Sequence, residues 1–155
     1  MALEIERKFL VDKAKWNAQE KPSGDFFRQA YIVADPDKTV RVRLTGKAAF
    51  LTIKGPTSGA TRQEFEYEIP QTDAQELLDN FTEAGLIKTR YKITYEGKIW
   101  EVDEFAGENA GLLIAEIELT SEDEKFVLPG WVAEEVTGQE KYYNSYLSVN
   151  PFKNW

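Results

Sequence analysis

Glu4, Glu6 and Lys8 stand at alternate positions of the stretch Leu3-Glu4-Ile5-Glu6-Arg7-Lys8-Phe9. Successive side chains of a strand point to opposite faces, so this segment, read as a strand, throws Glu4, Glu6 and Lys8 to one side and Leu3, Ile5 and Phe9 to the other. Two carboxylates in line with an ammonium can hold a divalent cation and an anionic group side by side, because carboxylate oxygens suit Mg²⁺ or Mn²⁺ and lysine suits phosphate. Taken alone, Glu-x-Glu-x-Lys is weakly specific, since the wet face of an antiparallel sheet carries similar patterns. The same ionic face recurs at Arg41, Arg43, Thr52 and Lys54, and again at Arg62, Glu64, Glu66 and Glu68. It returns at Lys88, Arg90 and Lys92, at Glu101 and Asp103, and at Glu116 and Glu118.

The chain of 155 residues contains no Cys and no His. Thiolate sites, His-based triads and His zinc sites are thereby excluded, and acid-base work or metal binding falls to carboxylates, Lys and Tyr. A net charge of −8 argues against a broad nucleic-acid surface, which needs a basic stripe, so any polyanion must be met locally. No apolar run approaches the roughly 18 residues of a membrane span, and the N-terminal residues lack a signal-peptide block. The expectation is a cytoplasmic protein with neither membrane nor nucleic-acid partners. No Ser/Gly/Pro-rich linker divides residues 1–155, which are read as one domain.

The elements that must carry these residues follow in chain order. Asp12 to about Lys21 reads as a short helix anchored by Trp16 and ended at Pro22-Ser23-Gly24. Phe26–Val33 is a strand by its aromatic and β-branched content, followed by a loop at Asp35-Pro36-Asp37. Thr39–Leu44 and Phe50–Lys54 flank Gly46-Lys47, where Gly46 is expected to take the positive φ of a tight hairpin. Arg62–Ile69 continues the alternation. Thr72–Ala84 predicts a helix with a Thr72/Gln75 capping box, an apolar stripe through Ala74, Leu77, Leu78, Phe81 and Ala84, and Gly85 as its stop. Lys88–Ile93 and Lys98–Phe105 form a hairpin about Glu96-Gly97, and Leu113–Leu119 is the last strand. Ser121 with Glu124 can cap a further turn, and the tail around Tyr142–Leu147 reads as a short helix.

Eight candidate strands with few helices give an α+β protein whose antiparallel sheet can close into a barrel. Which face is inside stays open from pattern alone. Charge sign is segregated by strand, and the helices' apolar stripes need an apolar sheet face to cover; both favour an ionic interior over a one-sided solvated sheet. Buried charges cost several kcal/mol each unless paired, hydrated or metal-bound, so an ionic lining implies a water-filled channel whose ligand uses both signs. A metal-chelated triphosphate does so.

The segments Glu4-Ile5-Glu6-Arg7-Lys8-Phe9-Leu10, Gln29-Ala30-Tyr31, Val40-Arg41-Val42-Arg43, Thr52-Ile53-Lys54, Arg62-Gln63-Glu64-Phe65-Glu66, Lys88-Thr89-Arg90-Tyr91, Val102-Asp103-Glu104-Phe105, Ala115-Glu116-Ile117-Glu118 and Glu135-Val136-Thr137-Gly138 through Tyr142 and Asn144 resemble the CYTH domain of the triphosphate tunnel metalloenzymes, in order along nearly the whole chain. The resemblance implies an eight-stranded antiparallel barrel, the tunnel, with charges inside, and Mg²⁺- or Mn²⁺-dependent hydrolysis of a triphosphate, foremost inorganic triphosphate. It implies Glu4, Glu6, Glu64, Glu66, Asp103, Glu116 and Glu118 as the metal-side acids. Lys8, Arg41, Arg43, Lys54, Lys88 and Arg90 match the phosphate-binding bases, with Tyr31 at the tunnel mouth. Catalytic roles fall to Glu6, Lys8, Glu66 and Lys88, with Glu66 positioning water. Ala30 replaces a common Gly, and Lys92 and Glu68 read as rim charges. A class IV-like adenylate cyclase is the enzyme alternative, weakened by the missing His; thiamine or nucleoside triphosphatases and a non-catalytic polyphosphate-binding module remain. A homodimer is left open, with Trp131 or Trp155 as its surface if exposed.

Overall fold

The computed structural model describes residues 2–155. Nine strands form one sheet: β1 (Leu3–Val11), β2 (Asp25–Asp35), β3 (Lys38–Thr45), β4 (Ala49–Lys54), β5 (Thr61–Ile69), β6 (Gly85–Tyr95), β7 (Lys98–Phe105), β8 (Leu113–Glu118) and β9 (Val132–Glu135). The order β5-β4-β3-β2-β6-β7-β8-β1 closes on itself because β1 also pairs with β5, giving an eight-stranded antiparallel barrel with β9 attached to β1. Closure rests on three register pairs, Leu3 with Gln63, Glu4 with Arg62 and Ile5 with Thr61. That register puts Glu4 and Arg62 on the inner face together, since cross-strand partners share a face.

The apolar faces point outward and are covered from outside. Helix α1 (Lys13–Ala18) drops Trp16 onto the outer wall, where it is fully buried with Phe9, Trp100, Val102, Ala115, Ile117 and Trp131. The Trp16 ring lies 5.1 Å from that of Trp131 and 5.7 Å from that of Tyr91, both edge-on as aromatic quadrupoles prefer. Helix α2 (Gln71–Asn80) lays Ala74 and Leu78 over Ala30, Val42 and Ala49 of β2 to β4. A third apolar cluster is different in kind. Leu10, Phe105 and Ile114 share strand faces with Lys8, Asp103 and Glu116, so they point inward, and with Leu86, Val136, Tyr142 and Leu147 they floor one end of the barrel. The C-terminal helix α3 (Asn144–Val149) sits at this floor.

Several local expectations give way to tertiary demands. The α2 capping box does not form: the helix follows Pro70 with no side-chain cap, and Gln75 Nε2 donates instead to both Asp79 oxygens. The helix stops at Asn80, leaving Phe81 64% exposed, because Gly85 already belongs to β6. A Cβ at Gly85 would stand 2.5 Å from the Gln29 carbonyl oxygen, so only glycine lets β6 meet β2 there. Gly46 does not use positive φ. Its hairpin is held by Thr45, whose Oγ1 accepts from the Lys47 and Ala48 N–H groups. Positive φ falls at Glu96 (48°) and Gly97 (76°) in the β6–β7 turn. The Asp35-Pro36-Asp37 loop shrinks to a turn, since Asp35 already pairs with Lys38. Trp131 is buried in the outer core and offers no dimer surface, whereas Trp155 is 47% exposed and packs edge-on against Tyr142 and Phe152.

If α1 is held by Trp16 rather than by helix propensity, Trp16→Ala should destabilise the fold by about 3–5 kcal/mol, the cost of an aromatic truncated in a closed core. Urea unfolding followed by fluorescence measures it.

Candidate active site

The inward faces enclose a polar cavity of about 420 Å³. Glu4, Glu6, Lys8, Tyr31, Arg41, Arg43, Lys54, Glu64, Glu66, Lys88, Arg90, Glu116 and Glu118 all line it, carried by seven different strands, as do the rim residues Lys92 and Glu101. Glu68 does not line it and is exposed. Asp103, expected among the metal-side acids, is fully buried behind the bases. Its two oxygens accept from Lys88 Nζ (2.7 Å), Arg90 Nε (2.7 Å) and Arg90 Nη2 (2.9 Å), which makes it an anchor for those cations rather than a carboxylate open to a metal.

Each base leans on a partner. Lys54 Nζ lies 3.0 Å from Glu4 and 3.1 Å from Glu64, and Arg62 Nε donates to Glu4 at 3.2 Å. Arg41 Nη2 reaches Thr52 Oγ1 at 3.3 Å and Glu66 at 3.7 Å, while the Thr52 hydroxyl donates to Glu66 at 2.9 Å. Lys8 Nζ stands 3.6 Å from Glu116, and Arg90 Nη2 3.8 Å from it. The Phe27 ring lies under two guanidinium groups, 4.7 Å from Arg43 and 5.2 Å from Arg90, where its π face offsets part of their mutual repulsion.

The titration behaviour divides the cavity into two poles. Burial works to raise Glu4, but Lys54 and Arg62 outweigh it and hold the carboxyl near 2. Burial likewise opposes ionisation of Glu116, yet Lys8, Arg90 and Lys88 keep it well below the ordinary carboxylate range. Glu6 goes the other way: burial, then Glu116 and Glu4, push it up to about 8. Among the described residues its carboxylate has no hydrogen-bond or ion-pair partner. Glu118 is raised as well, by burial and then by Glu4 and Glu101. At the opposite pole, burial, resisted by Asp103 and reinforced by Arg90 and Arg43, brings Lys88 down to about 7. Burial with Arg41 and Arg90 lowers Arg43 to about 9. One wall therefore holds two carboxyls, Glu6 and Glu118, that are raised, and the other two bases, Lys88 and Arg43, that are lowered.

A divalent ion fits the first wall chemically. Glu6 faces Glu118 across the β1–β8 register, with Glu4, Glu64 and Glu116 beside them, all hard oxygen donors. No three of the described carboxylates converge as a ready-made cage. Mg²⁺-type ions are commonly held by one or two carboxylates with water and ligand oxygens, so an acid wall facing a wall of bases in an open cavity is compatible with that chemistry.

The same chain-wide pattern matches the CYTH domain over residues 2–148. The chain belongs to the CYTH domain family. An inorganic triphosphatase of Acetivibrio thermocellus is 49% identical over 156 residues, covering 100% of this chain and 99% of that protein. One of Nitrosomonas europaea is 35% identical, covering 95% and 97%. A crystal structure of an inorganic triphosphatase superposes with a TM-score of 0.65 at 36% identity, covering 94% of this chain and 97% of the other. In this CYTH domain Arg62 and Thr52, placed by the sequence on the ionic face but given no role, hold Glu4 and Glu66, and Phe27, Gln29, Tyr143 and Asn144 had no role assigned. Arg62 shares the polar face of β5 with Glu64, which is how alternation placed it there. The uncharged residues carry no such signal, because Gln, Thr or Asn on a strand face or in a tail is ordinary surface composition.

Two measurements test this electrostatic arrangement. Arg90→Ala leaves Asp103 buried with Lys88 alone and should cost about 3–5 kcal/mol in chemical denaturation. For Glu6, a carboxyl raised from 4.5 to about 8 means the folded, metal-free protein retains a proton that the unfolded chain has released. That contribution is complete below the unfolded value and is lost as pH rises through about 8. Glu6→Gln removes it, so without metal the variant should be more stable than wild type by about 1–2 kcal/mol near pH 9, with little difference near pH 5, by calorimetry.

Proposed function

We propose that this CYTH domain, acting as one unit over residues 1–155, is a metal-dependent triphosphatase that splits inorganic triphosphate into pyrophosphate and phosphate. The observation that carries the reading is one cavity lined by bases and acids together, with Lys88, Arg43 and Arg90 on one side and the carboxylates of Glu6 and Glu118 facing each other on the other. A triphosphate chelated to a cation satisfies both poles at once; a bare anion or a bare cation satisfies one. The identity of the relatives supports the substrate.

In this reading Lys8, Arg41, Arg43, Lys54, Lys88 and Arg90 grip the phosphate oxygens, with Tyr31 at the mouth. Glu4, Glu6, Glu64, Glu116 and Glu118 hold Mg²⁺ or Mn²⁺, which when bound supplies charge neutralisation at the phosphoryl oxygens. Glu66, fixed by Thr52 and half-exposed in the cavity wall, orients a water in line with the end phosphorus. The water oxygen forms the new bond to phosphorus, the bridging P–O bond breaks, and pyrophosphate leaves with the electron pair. Lys8 and Lys88 meet the charge that develops on it. Catalysis is then positioning and charge stabilisation, as phosphoryl transfer requires little covalent work from protein. Asp103 enters as the anchor of Lys88 and Arg90. The cytoplasm is the proposed compartment, supported by the absence of Cys.

Phosphate release should occur from triphosphate only with Mg²⁺ or Mn²⁺, one phosphate per pyrophosphate, and Glu6→Gln should lower kcat/KM by about 100-fold or more. A panel of triphosphate, ATP, thiamine triphosphate and pyrophosphate decides it. Cyclic AMP with pyrophosphate from ATP would make the protein a cyclase, and tight binding without product a polyphosphate-binding module.

A further inference from the structure

Two neutral amides connect bases that the reaction as described treats separately. Gln29 of β2 is fully buried, and Asn144 opens α3 yet turns its side chain into the cavity wall instead of capping its helix. Asn144 Oδ1 accepts from Lys88 Nζ at 2.8 Å and from Gln29 Nε2 at 3.1 Å, while Gln29 Oε1 accepts from Arg43 Nε at 3.0 Å. The orientation of both amides is dictated by chemistry. Lys and Arg only donate, so the Asn144 atom facing Lys88 must be its oxygen. The Gln29 atom meeting that oxygen must then be nitrogen, which leaves the Gln29 oxygen for Arg43. Among the described residues Asn144 Nδ2 has no protein partner, and it remains a donor on the cavity wall.

We propose that Gln29 and Asn144 are a positioning pair for triphosphate, aiming Lys88 and Arg43 at its oxygens while adding no negative charge that would compete with it. The inference rests on the triphosphatase reading and names residues that reading leaves out. Its physical basis is the contrast with Asp103 on the other side of Lys88. Asp103 fixes Lys88 and Arg90 but cancels one of their charges. A second carboxylate in the place of Asn144 would cancel another, and the phosphate would have to displace it. An amide oxygen directs the same N–H groups at a fraction of that cost and cancels no charge of Lys88. Because Asn144 belongs to the C-terminal segment, docking of that segment against Leu86, Phe105 and Tyr142 is registered at the bases themselves.

The test compares wild type with Asn144→Asp, Asn144→Ala, Gln29→Ala and the double alanine variant, using inorganic triphosphate with Mg²⁺. Calorimetric binding, kcat, KM and Tm are read for each. Asn144→Asp should raise Kd and KM roughly tenfold or more while Tm is unchanged or higher, since Lys88 gains an ion pair as substrate loses one. The single alanine variants should each raise KM more than they lower kcat, and the double variant should be less impaired than the product of the singles, because both act through one chain of bonds. Wild-type Kd and KM in Asn144→Asp, multiplicative alanine effects, or losses that track a falling Tm would each overturn the pair's role. A wild-type protein that neither binds nor splits triphosphate would overturn the triphosphatase reading itself, and this inference with it.

Discussion

Charges turned into a barrel are tolerable only when each is answered by another, and here the answers are incomplete by design of the register. Lys54 and Arg62 share Glu4, Lys88 and Arg90 share Asp103, and Lys8 and Arg90 flank Glu116. These pairings offset the desolvation that would otherwise expel such side chains. They also leave a remainder on each wall, Glu6 and Glu118 without a cation, Arg43 and Lys88 without enough anion. The remainder is a demand for a ligand that carries both signs. Such mismatched groups cost folding free energy, the usual trade of stability for function.

This constraint explains why the hydrophobic cores lie where they do. A barrel whose lumen is ionic cannot build its main core inside, so Trp16, Trp100 and Trp131 make one on the outer wall, and Ala74 and Leu78 make another under α2. The short helices are lids for apolar sheet faces rather than independent units; α1 has only six residues and would not persist without Trp16 in its pocket. The lumen itself changes character along its length. Beyond Lys88 and Asp103 it is filled by Phe105, Ile114 and Leu86, and the C-terminal segment seals it. The bases therefore stand against an apolar floor, where their fields are less screened than in an open channel.

Legibility in the sequence followed charge and periodicity. Charged residues at period two on seven strands are improbable as noise, and the bases and acids read from that pattern, with Asp103 and Glu68 the exceptions, line the cavity. Asp103 was legible as an interior acid but not as an anchor: its partners Lys88 and Arg90 sit on the neighbouring strand, and only the β6–β7 register, which pairs Arg90 with Asp103, brings them onto its two oxygens. The α2 capping box failed for a related reason. Thr72 and Gln75 satisfy the local rule, but Pro70 sets the helix entry and β6 needs residues from Gly85 onward.

By itself the sequence determined the alternation, hence which side chains share a face, and the sign of charge each strand carries, because period two is a property of the extended backbone alone. Only the tertiary structure decided that the ionic face is the inner one, that Glu6 is left without a partner while Glu4 is doubly paired, and that Gln29 and Asn144, 115 positions apart, meet between Arg43 and Lys88. Those outcomes depend on closing β1 against β5 and folding the C-terminal segment over the barrel's end. Distance and desolvation set the strength of every charge involved, and both are fixed by packing rather than by the order of residues.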